Sequence, residues 1–477
     1  MSAFIRLAAV VCIAVAASAR QLPDRSVAPK TGELPAFTPP AIERRALSNG
    51  LPVWIVELHK VPVAEVTLVL KTGASADPAG KPGTANLTAD MLDEGAGNRG
   101  ALEIADAVDY LGADLSTESS FDSSAVSLHV PVARLQEALA IMADVALRPT
   151  FPDKELQRVR EERLTSLLQA EDDPETLIRI VFPRLVYGAT HRYGAPSTGT
   201  AGAIKSMTAS DLRAFHQRVY VPANAALIVA GDTSATAVVP LLESAFGAWK
   251  GVTAPATALP APAPAKARQV ILIDKPGAAQ SQIAIGGVGV PRSTPDYFSI
   301  RVLNTVLGGA FTSRLNTNLR EEHGYAYGAG SSFDMRLAAG PFSASAGVQT
   351  DKTADALREF FKELEGIHLP IPQNELEKAK NYLALQLPRG FETTGSVAAS
   401  LAAAFVYDLP RDYFATYTQQ VRAVTADAVK RAADRYIQVD KLTVVIVGDR
   451  KVIETGVRAL NLGPLRIATV GELGILE

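Results

Sequence analysis

The side chains best suited to metal binding or nucleophilic attack are few and far apart in this chain of 477 residues. Two histidines one helical turn apart can bind one zinc ion, and a cysteine thiolate is both a strong ligand and a nucleophile. The histidines are His59, His129, His191, His216, His323 and His368. Because the closest two, His191 and His216, are 25 residues apart, the sequence holds no such pair. The one cysteine, Cys12, belongs to a segment that we expect to be removed.

Acidic residues are the remaining candidate metal ligands, and they cluster at two places. Asp90, Asp93 and Glu94 form one cluster, and Glu171–Asp173 form the other. Carboxylates on one helix commonly form a solvated face, and without imidazole or thiolate they make a poor zinc site. We therefore expect this chain to bind no metal or cofactor of its own.

The composition predicts a large folded core and argues against nucleic acid as a partner. Hydrophobic residues make up 47% of the chain, which excludes wholesale disorder. Lys and Arg number 47 against 50 Asp and Glu, a net charge of −3, and no long basic run provides a local positive field.

The N-terminus has the pattern of an export signal. Arg6 precedes an apolar run from Leu7 to Ala17, and the residues that follow match a small-x-small cleavage site ending at Ala19. This run is too short to span a bilayer, although a retained anchor is the alternative. We expect a signal peptide at residues 1–19, an extended proline-rich arm at 20–40, and a periplasmic protein with no membrane span after signal removal.

A proline-alanine stretch, Thr253–Ala267, divides the rest into two halves with the same pattern. Thr208 matches Thr425 at an offset of 217 residues, and Pro152 matches Pro372 at an offset of 220. These offsets indicate a duplication with a small insertion or deletion. The predicted boundaries are an N-terminal domain at 41–252, a linker at 253–267, a C-terminal domain at 268–465 and a tail at 466–477.

Both halves contain short apolar runs and helical periods, which predict strands and helices. The predicted strands are Val63–Lys71, Ala125–Val130, Ala226–Ala230, Val270–Asp274, Ile283–Val288 and Leu442–Val447. The predicted helices are Ala133–Leu147, Asp153–Gln169, Ala209–Val219, Lys352–Leu364, Gln373–Leu387 and Ala426–Tyr436. Thr208 and Thr425 stand at N-cap positions. Strands at both ends of each half predict an α+β fold of two homologous domains, each with helices packed on a largely antiparallel sheet.

Three segments of this duplicated chain resemble the insulinase/pitrilysin superfamily of zinc metallopeptidases, in the bacterial branch that is similar to mitochondrial processing peptidase. Gly194–Thr200 (GAPSTGT) follows His191-Arg192-Tyr193, and Glu171–Glu175 (EDDPE) follows a predicted helix. Gly308–Gly328 (GGAFTSRLNTNLREEHGYAYG) resembles the family's Gly-Gly-x-x-x-S-R-L…L-R-E-x-x-G-x-A-Y segment. The resemblance covers roughly residues 40–460.

The resemblance implies that the zinc site of the first half is degenerate. Active members carry H-x-x-E-H on a helix and a further glutamate on a later one. Asn86 and Asp90 stand here at the two histidines, Ala89 at the glutamate, and Ser166 near the later ligand. No peptidase activity is therefore expected from this chain alone.

In the same family, an Arg/Tyr pair of the second half holds the substrate backbone near the scissile bond. Arg320 and Tyr327 match that pair, and Tyr325 competes with Tyr327 by sequence alone. A guanidinium provides fixed donors to carbonyl oxygens and a phenol provides one proton. The alternative is structural, with Arg320 paired to a nearby carboxylate and Tyr327 packed half-buried.

The resemblance thus implies a non-catalytic subunit of a heteromeric zinc peptidase, expected as a heterodimer. A homologous H-x-x-E-H subunit would bring zinc and the base, this chain would contribute Arg320 and Tyr327, and unfolded peptides would be the substrate. The alternative is an inactive scaffold or a peptide-binding protein, possibly a homodimer.

Overall fold

The computed structural model describes residues 37–251, 259–263 and 265–473. The predicted signal peptide, nearly all of the predicted arm, and parts of the predicted linker and tail lie outside the described residues. Every element below belongs to one compact unit, Thr38–Glu477. In the described part of the chain, no helix is long and apolar enough to cross a membrane.

The first half forms a mixed sheet on which its helices pack. In spatial order its strands are β1 (Glu43–Ala46), β2 (Pro52–Glu57), β6 (Ala225–Gly231), β3 (Val63–Leu70), β5 (Ser124–Pro131) and β4 (Asp114–Ser119). β2 and β6 are parallel and the other neighbours are antiparallel. The apolar strand β6 is buried at every position, as a central strand requires, whereas the polar strand β4 alternates between exposed and half-buried residues at the edge.

The second half repeats this architecture. In spatial order its strands are β9 (Ala326–Phe333), β10 (Pro341–Gln349), β8 (Gln280–Val288), β11 (Thr443–Gly448), β7 (Gln269–Asp274) and β12 (Leu465–Ala468). β7 runs parallel to β11 and β12, and the other pairs are antiparallel. The sheet reaches Ala468, past residue 465 where the second domain was predicted to end. The predicted α+β fold of two homologous domains is confirmed.

Helices fill the connections between the strands. Those of the first half are Thr84–Asp90, Ala101–Tyr110, Leu135–Leu147, Asp153–Asp172, Pro174–Tyr187, Ala201–Ser206, Ala209–Val219 and Ala235–Phe246. Those of the second half are Tyr297–Asn304, Arg314–Asn316, Thr353–Gly366, Gln373–Gln386, Thr394–Val406, Tyr413–Ala423, Ala426–Tyr436 and Arg450–Ala459, with π-helical turns at Thr305–Gly309 and Thr317–Glu322.

The two predicted N-caps lie where the repeat requires them. Thr208 Oγ1 accepts a hydrogen bond from Asp211 N at 3.3 Å, and Thr425 Oγ1 accepts one from Ala428 N at 3.2 Å. Each bond satisfies a backbone donor that has no partner within the helix. The helices that follow, Ala209–Val219 and Ala426–Tyr436, have the predicted bounds.

Each half also places one helix on the sheet of the other half. The first crossing helix, Pro174–Tyr187, packs on β8 and β11, where Leu177, Val181 and Phe182 are buried in one apolar cluster with residues of the second sheet. The second crossing helix, Thr394–Val406, packs on β3 and β6 of the first sheet. The offset of 220 residues that relates Pro152 to Pro372 also relates the first residues of these two helices. The exchange is therefore symmetric and joins the halves through both sheets.

Candidate functional site

The helix Thr84–Asp90, called the motif helix, carries the three degenerate positions Asn86, Ala89 and Asp90. Its start is fixed by Asp77, whose carboxylate accepts hydrogen bonds from Gly83 N and Ala85 N, both at 2.7 Å. Burial raises the pKa of Asp77, although the adjacent Arg192 guanidinium and the two backbone donors oppose that shift. The motif helix is thus held rigidly although it carries no zinc ligands.

Arg163 lies between the two positions that correspond to the zinc-binding histidines. It comes from the helix Asp153–Asp172, called the ligand helix because it should supply the later zinc ligand. One Nη atom donates to Asn86 Oδ1 at 2.6 Å and to Thr198 O at 3.0 Å, and the other contacts the Asp90 carboxylate. Its side chain is only 12% exposed. A protein cation therefore links the positions where metal ligands would stand.

Ser166, the predicted counterpart of the later ligand, does not join this group. It is exposed, and its hydroxyl donates to Glu162 O at 3.0 Å within its own helix. Nearby, Arg158 contacts Glu94 and binds Glu155 and Glu162, each at 2.9 Å. Part of the acidic cluster that was weighed as a metal site is thus neutralised by arginine.

The remaining carboxylates of the cluster hold protons more tightly than free aspartate. Burial raises the pKa of Asp90, and Arg163 only partly offsets it. Burial, aided by the charges of Glu94 and Asp90, raises the pKa of Asp93 to about 6. A site built for a divalent cation needs ionised ligands, which these surroundings disfavour.

The residues present therefore do not fit a zinc ion. Ala89 is fully buried and offers a methyl group where active relatives place a base. Asn86 and Asp90 are committed to a guanidinium, and no group of three potential ligands exists among the residues that the structure describes. We derive no hydrolytic step from this half.

The second candidate site is a stack of three side chains, called the Arg–Tyr stack, formed by Phe311, Arg320 and Tyr327. The Arg320 Cζ atom lies 4.5 Å from the centre of the Phe311 ring and 5.5 Å from that of Tyr327. Tyr327 is 89% exposed and Phe311 is 65% exposed. The Arg320 side chain is 29% exposed, so cation–π attraction to both rings holds it in place while part of the guanidinium can still donate to a ligand.

The structure separates the two tyrosines that compete by sequence. Tyr325 is half-buried and stacks on His323 with ring centres 5.0 Å apart, whereas Tyr327 is exposed beside Arg320. Arg320 also contacts the neighbouring Glu321 carboxylate at 3.2 Å, as the structural alternative proposed. The packing part of that alternative does not describe Tyr327, because almost all of its side chain faces solvent.

Tight backbone packing holds the stack. Arg320 lies in the π-helical turn Thr317–Glu322, and Tyr327 follows at the start of edge strand β9. A Cβ atom on Gly308 would lie 2.2 Å from Ser331 N, so only glycine lets the loop before Phe311 approach β9. Arg314 donates to the Glu375 carboxylate at 2.7 Å, which links the segment after Phe311 to the helix Gln373–Gln386.

Tyr327 also lines a groove of about 630 Å³ between the first crossing helix and the second sheet. The wall on the helix includes Arg179 and Phe182, and the floor includes Gln282 and Ser345. The groove has the volume of a ligand site, and both polar and apolar residues line it. Sequence reasoning missed Arg163 and Phe311, since an arginine in a charged helix and one aromatic in a glycine-rich loop carry no local signature.

Comparison with known proteins matches both halves of the chain to one peptidase family. The family model described as "Insulinase (Peptidase family M16)" matches residues 53–191, and the model described as "Peptidase M16 inactive domain" matches residues 206–383. An uncharacterized zinc protease of Mycobacterium leprae is 27% identical over 398 residues, which cover 83% of this chain and 89% of that protein. A Helicobacter pylori protein named "Non-peptidase homolog YmxG" is 24% identical over 406 residues, covering 84% of this chain and 92% of its own.

Solved structures show the same fold. A crystal structure of a peptidase M16 inactive domain from Pseudomonas fluorescens aligns with a TM-score of 0.79 and 28% identity, covering 86% of this chain and 98% of that one. The crystal structure of a protease from Helicobacter pylori aligns with a TM-score of 0.80 and 24% identity, covering 86% and 99%. With both halves matched, this chain belongs to the insulinase family, peptidase family M16, and it carries Asn86, Ala89 and Asp90 at the positions of the family's H-x-x-E-H motif.

Proposed function

We propose that this chain is the substrate-binding subunit of an exported, heteromeric zinc peptidase. A homologous partner with an intact H-x-x-E-H helix would bind the zinc and provide the base. This chain would contribute Arg320 and Tyr327 to the partner's site, and unfolded peptides would be the substrate. The periplasm is the proposed compartment, because residues 1–19 have the pattern of an export signal.

The observation that carries the proposal is the contrast between the two candidate sites. In the first half, Arg163 links the positions of the zinc ligands through short contacts to Asn86 and Asp90. In the second half, Arg320 and Tyr327 are both present and adjacent, Arg320 is partly exposed, and no packing role requires an 89% exposed tyrosine. Loss of the first site with retention of the second is expected if the second acts on a site built elsewhere.

The chemistry available to the Arg–Tyr stack suits a peptide backbone. The Arg320 guanidinium can donate two parallel hydrogen bonds to carbonyl oxygens, and the rings of Phe311 and Tyr327 limit its rotation. The Tyr327 hydroxyl can donate to an oxygen on which negative charge develops. These contacts position and stabilise a reacting peptide, and they have no catalytic use without a partner's site.

The test begins by capturing the partner with the tagged mature chain and assaying the complex on an unstructured fluorogenic peptide. We expect proteolysis that a zinc chelator abolishes and that neither subunit shows alone. In the complex, Arg320→Ala and Tyr327→Phe should lower kcat/KM by about 10²-fold or more, as expected when a transition-state donor is removed.

Matched controls use residues of the same types at other exposed positions. Arg134→Ala and Tyr110→Phe should leave kcat/KM within about twofold, since Arg134 pairs with Glu137 at the surface of the first half and Tyr110 is 78% exposed on a surface helix. Unchanged proteolysis in both stack variants would refute the shared site. A stable homodimer that binds peptide without any partner would instead favour a peptide-holding protein.

A further inference from the structure

A separate cavity of about 340 Å³ opens on the second half and takes no part in the proposed peptidase role. Its wall comes from the loop before the helix Tyr297–Asn304, from that helix, from the end of β9, and from the second crossing helix with the chain that follows it. We call it the arginine–tyrosine cavity, after the lining residues Arg292, Tyr297, Arg301, Tyr407 and Tyr413. These five side chains are half-buried, so the cavity is accessible from solvent.

The cavity is positively charged. It is lined by two arginines and by no aspartate or glutamate. Among the residues that the structure describes, neither Arg292 nor Arg301 has an ion-pair partner. The Nε atom of Arg301 is buried without a hydrogen-bond partner, and the titratable groups that act on this guanidinium are the phenols of Tyr297, Tyr413 and Tyr417. A half-buried guanidinium that faces only phenols lacks the anion that normally compensates it.

Three of the carboxylates close to the cavity in sequence are engaged elsewhere, and a fourth, Asp412, is exposed. Asp296 accepts from Tyr436 Oη at 2.6 Å and contacts Arg435 at 3.3 Å. Asp334 binds Arg336, and Asp408 binds Lys71 of the first half. These three carboxylates have other cations or donors, so the charge of Arg292 and Arg301 remains available to a ligand.

The aromatic side chains make the rest of the cavity suitable for an apolar or planar body. The Arg292 Cζ atom lies 3.6 Å from the centre of the Tyr297 ring and 5.3 Å from that of Tyr413, so its guanidinium is held against both rings. Tyr413 and Tyr297 share a hydrogen bond between their hydroxyls at 3.3 Å, which fixes both rings. Phe414, which packs edge-on against Tyr413, extends this aromatic wall.

We propose that the arginine–tyrosine cavity binds a small organic oxyanion, a carboxylate or a phosphate monoester carried on an aromatic or apolar body. Arg292 and Arg301 would hold the oxygen atoms through charge-assisted hydrogen bonds, and the rings of Tyr297, Tyr413 and Phe414 would pack on the body. A volume of about 340 Å³ admits one such group and excludes a folded partner. The proposal does not depend on the peptidase role, because the cavity includes neither Arg320 nor Tyr327.

The experiment titrates the full-length mature chain with benzoate, phenyl phosphate and inorganic phosphate by calorimetry, in a buffer free of other oxyanions. We expect saturable binding of benzoate or phenyl phosphate, and weaker binding of inorganic phosphate. Arg301→Gln and Arg292→Gln should each weaken the bound probe by about tenfold or more. Arg358→Gln, a change at an exposed arginine on the helix Thr353–Gly366 outside the cavity, should leave the affinity unchanged.

Circular dichroism of each variant shows whether it is folded. If Arg301→Gln does not fold, Arg292→Gln still provides the test, because Arg292 lies in a loop and binds no carboxylate. No binding of any probe to the wild-type chain at millimolar concentration would overturn the proposal. Binding that persists unchanged in the folded arginine variants would overturn it as well, and inorganic phosphate binding as tightly as phenyl phosphate would exclude the aromatic body.

Discussion

At the scale of single residues, Arg163 is the side chain whose removal should be most informative. Arg163→Ala leaves the Asp90 carboxylate partly buried without its cation and removes the donor from Asn86. We expect the free energy of unfolding at neutral pH to fall by about 2–3 kcal/mol, the usual cost of leaving a partly buried charge unpaired. Urea denaturation of wild type and variant measures it.

The stability loss in the same variant should depend on pH. Burial already raises the folded-state pKa of Asp90, and loss of Arg163 should raise it further. A carboxyl group whose pKa is higher in the folded than in the unfolded state stabilises the folded state at low pH. This contribution to stability is lost as the pH rises through the folded-state pKa. The difference in the free energy of unfolding between variant and wild type should therefore be largest at neutral pH and shrink towards pH 4.

The control Arg179→Ala breaks an exposed ion pair and should lower the free energy of unfolding by less than about 0.5 kcal/mol at any pH. An equal loss in both variants would contradict this account.

The role of a residue can be predicted from sequence when the residues that it contacts lie close to it along the chain. The absence of ligands at Asn86, Ala89 and Asp90 needs only the order of residues along one helix. The role of Arg163 could not be predicted, because its partners lie 73 and 77 residues away and only the fold brings them together. Phe311 was missed for the same reason, since its ring contacts the Arg320 guanidinium only after the chain has turned back on itself.

At the scale of elements, the crossing helices hold the halves together through apolar packing. Phe182 of the first crossing helix is 5% exposed, and a Cβ atom on Gly286 of β8 would lie 2.9 Å from its ring. Phe182→Ala should therefore open a cavity between helix and sheet and lower the free energy of unfolding by about 3–5 kcal/mol. Chemical denaturation monitored by circular dichroism measures the loss. The control, Glu175→Ala on the exposed face of the same helix, should change the free energy of unfolding by less than about 0.5 kcal/mol. A loss as small as that for Phe182→Ala would show that this helix is not part of the core.

The elements that sequence predicted are those whose determinants are local or strongly apolar. The predicted strands correspond to β3, β5 and β6 in the first sheet and to β7, β8 and β11 in the second, which are inner strands of each. The strands β1, β2, β4, β9, β10 and β12 were not predicted. A polar strand such as DLSTES has no apolar run and takes its conformation from its neighbour. The two π-helical turns were missed too, since they depend on contacts with β9.

At the scale of the whole molecule, the duplication builds one body from two halves through a reciprocal contact. Tyr187 at the end of the first crossing helix donates to Ala339 O at 2.9 Å in the second half. Tyr407, which the repeat offset of 220 relates to Tyr187, donates to Asp122 Oδ2 at 3.2 Å in the first half. Each crossing helix thus ends near a tyrosine that binds a loop between two strands of the opposite half. This arrangement joins the two halves through matching contacts at the ends of both crossing helices.

Asp122 is the residue on which this rigidity can be tested. It is 2% exposed, and besides Tyr407 its carboxylate accepts from Leu337 N at 2.8 Å in the second half and from Tyr193 Oη at 3.4 Å in its own. Asp122→Ala removes all three bonds and leaves buried donors on both sides. We expect a loss of about 2–4 kcal/mol and a single unfolding transition that separates into two as the halves lose their coupling.

Scanning calorimetry measures both effects, with Tyr187→Phe as the matched variant on the opposite side of the repeat. That change removes one hydroxyl and one hydrogen bond, so it should cost about 1 kcal/mol and keep a single transition. If Asp122→Ala also unfolds in one transition with an unchanged midpoint, the polar contact does not couple the halves, and their coupling must come from the apolar faces of the two crossing helices.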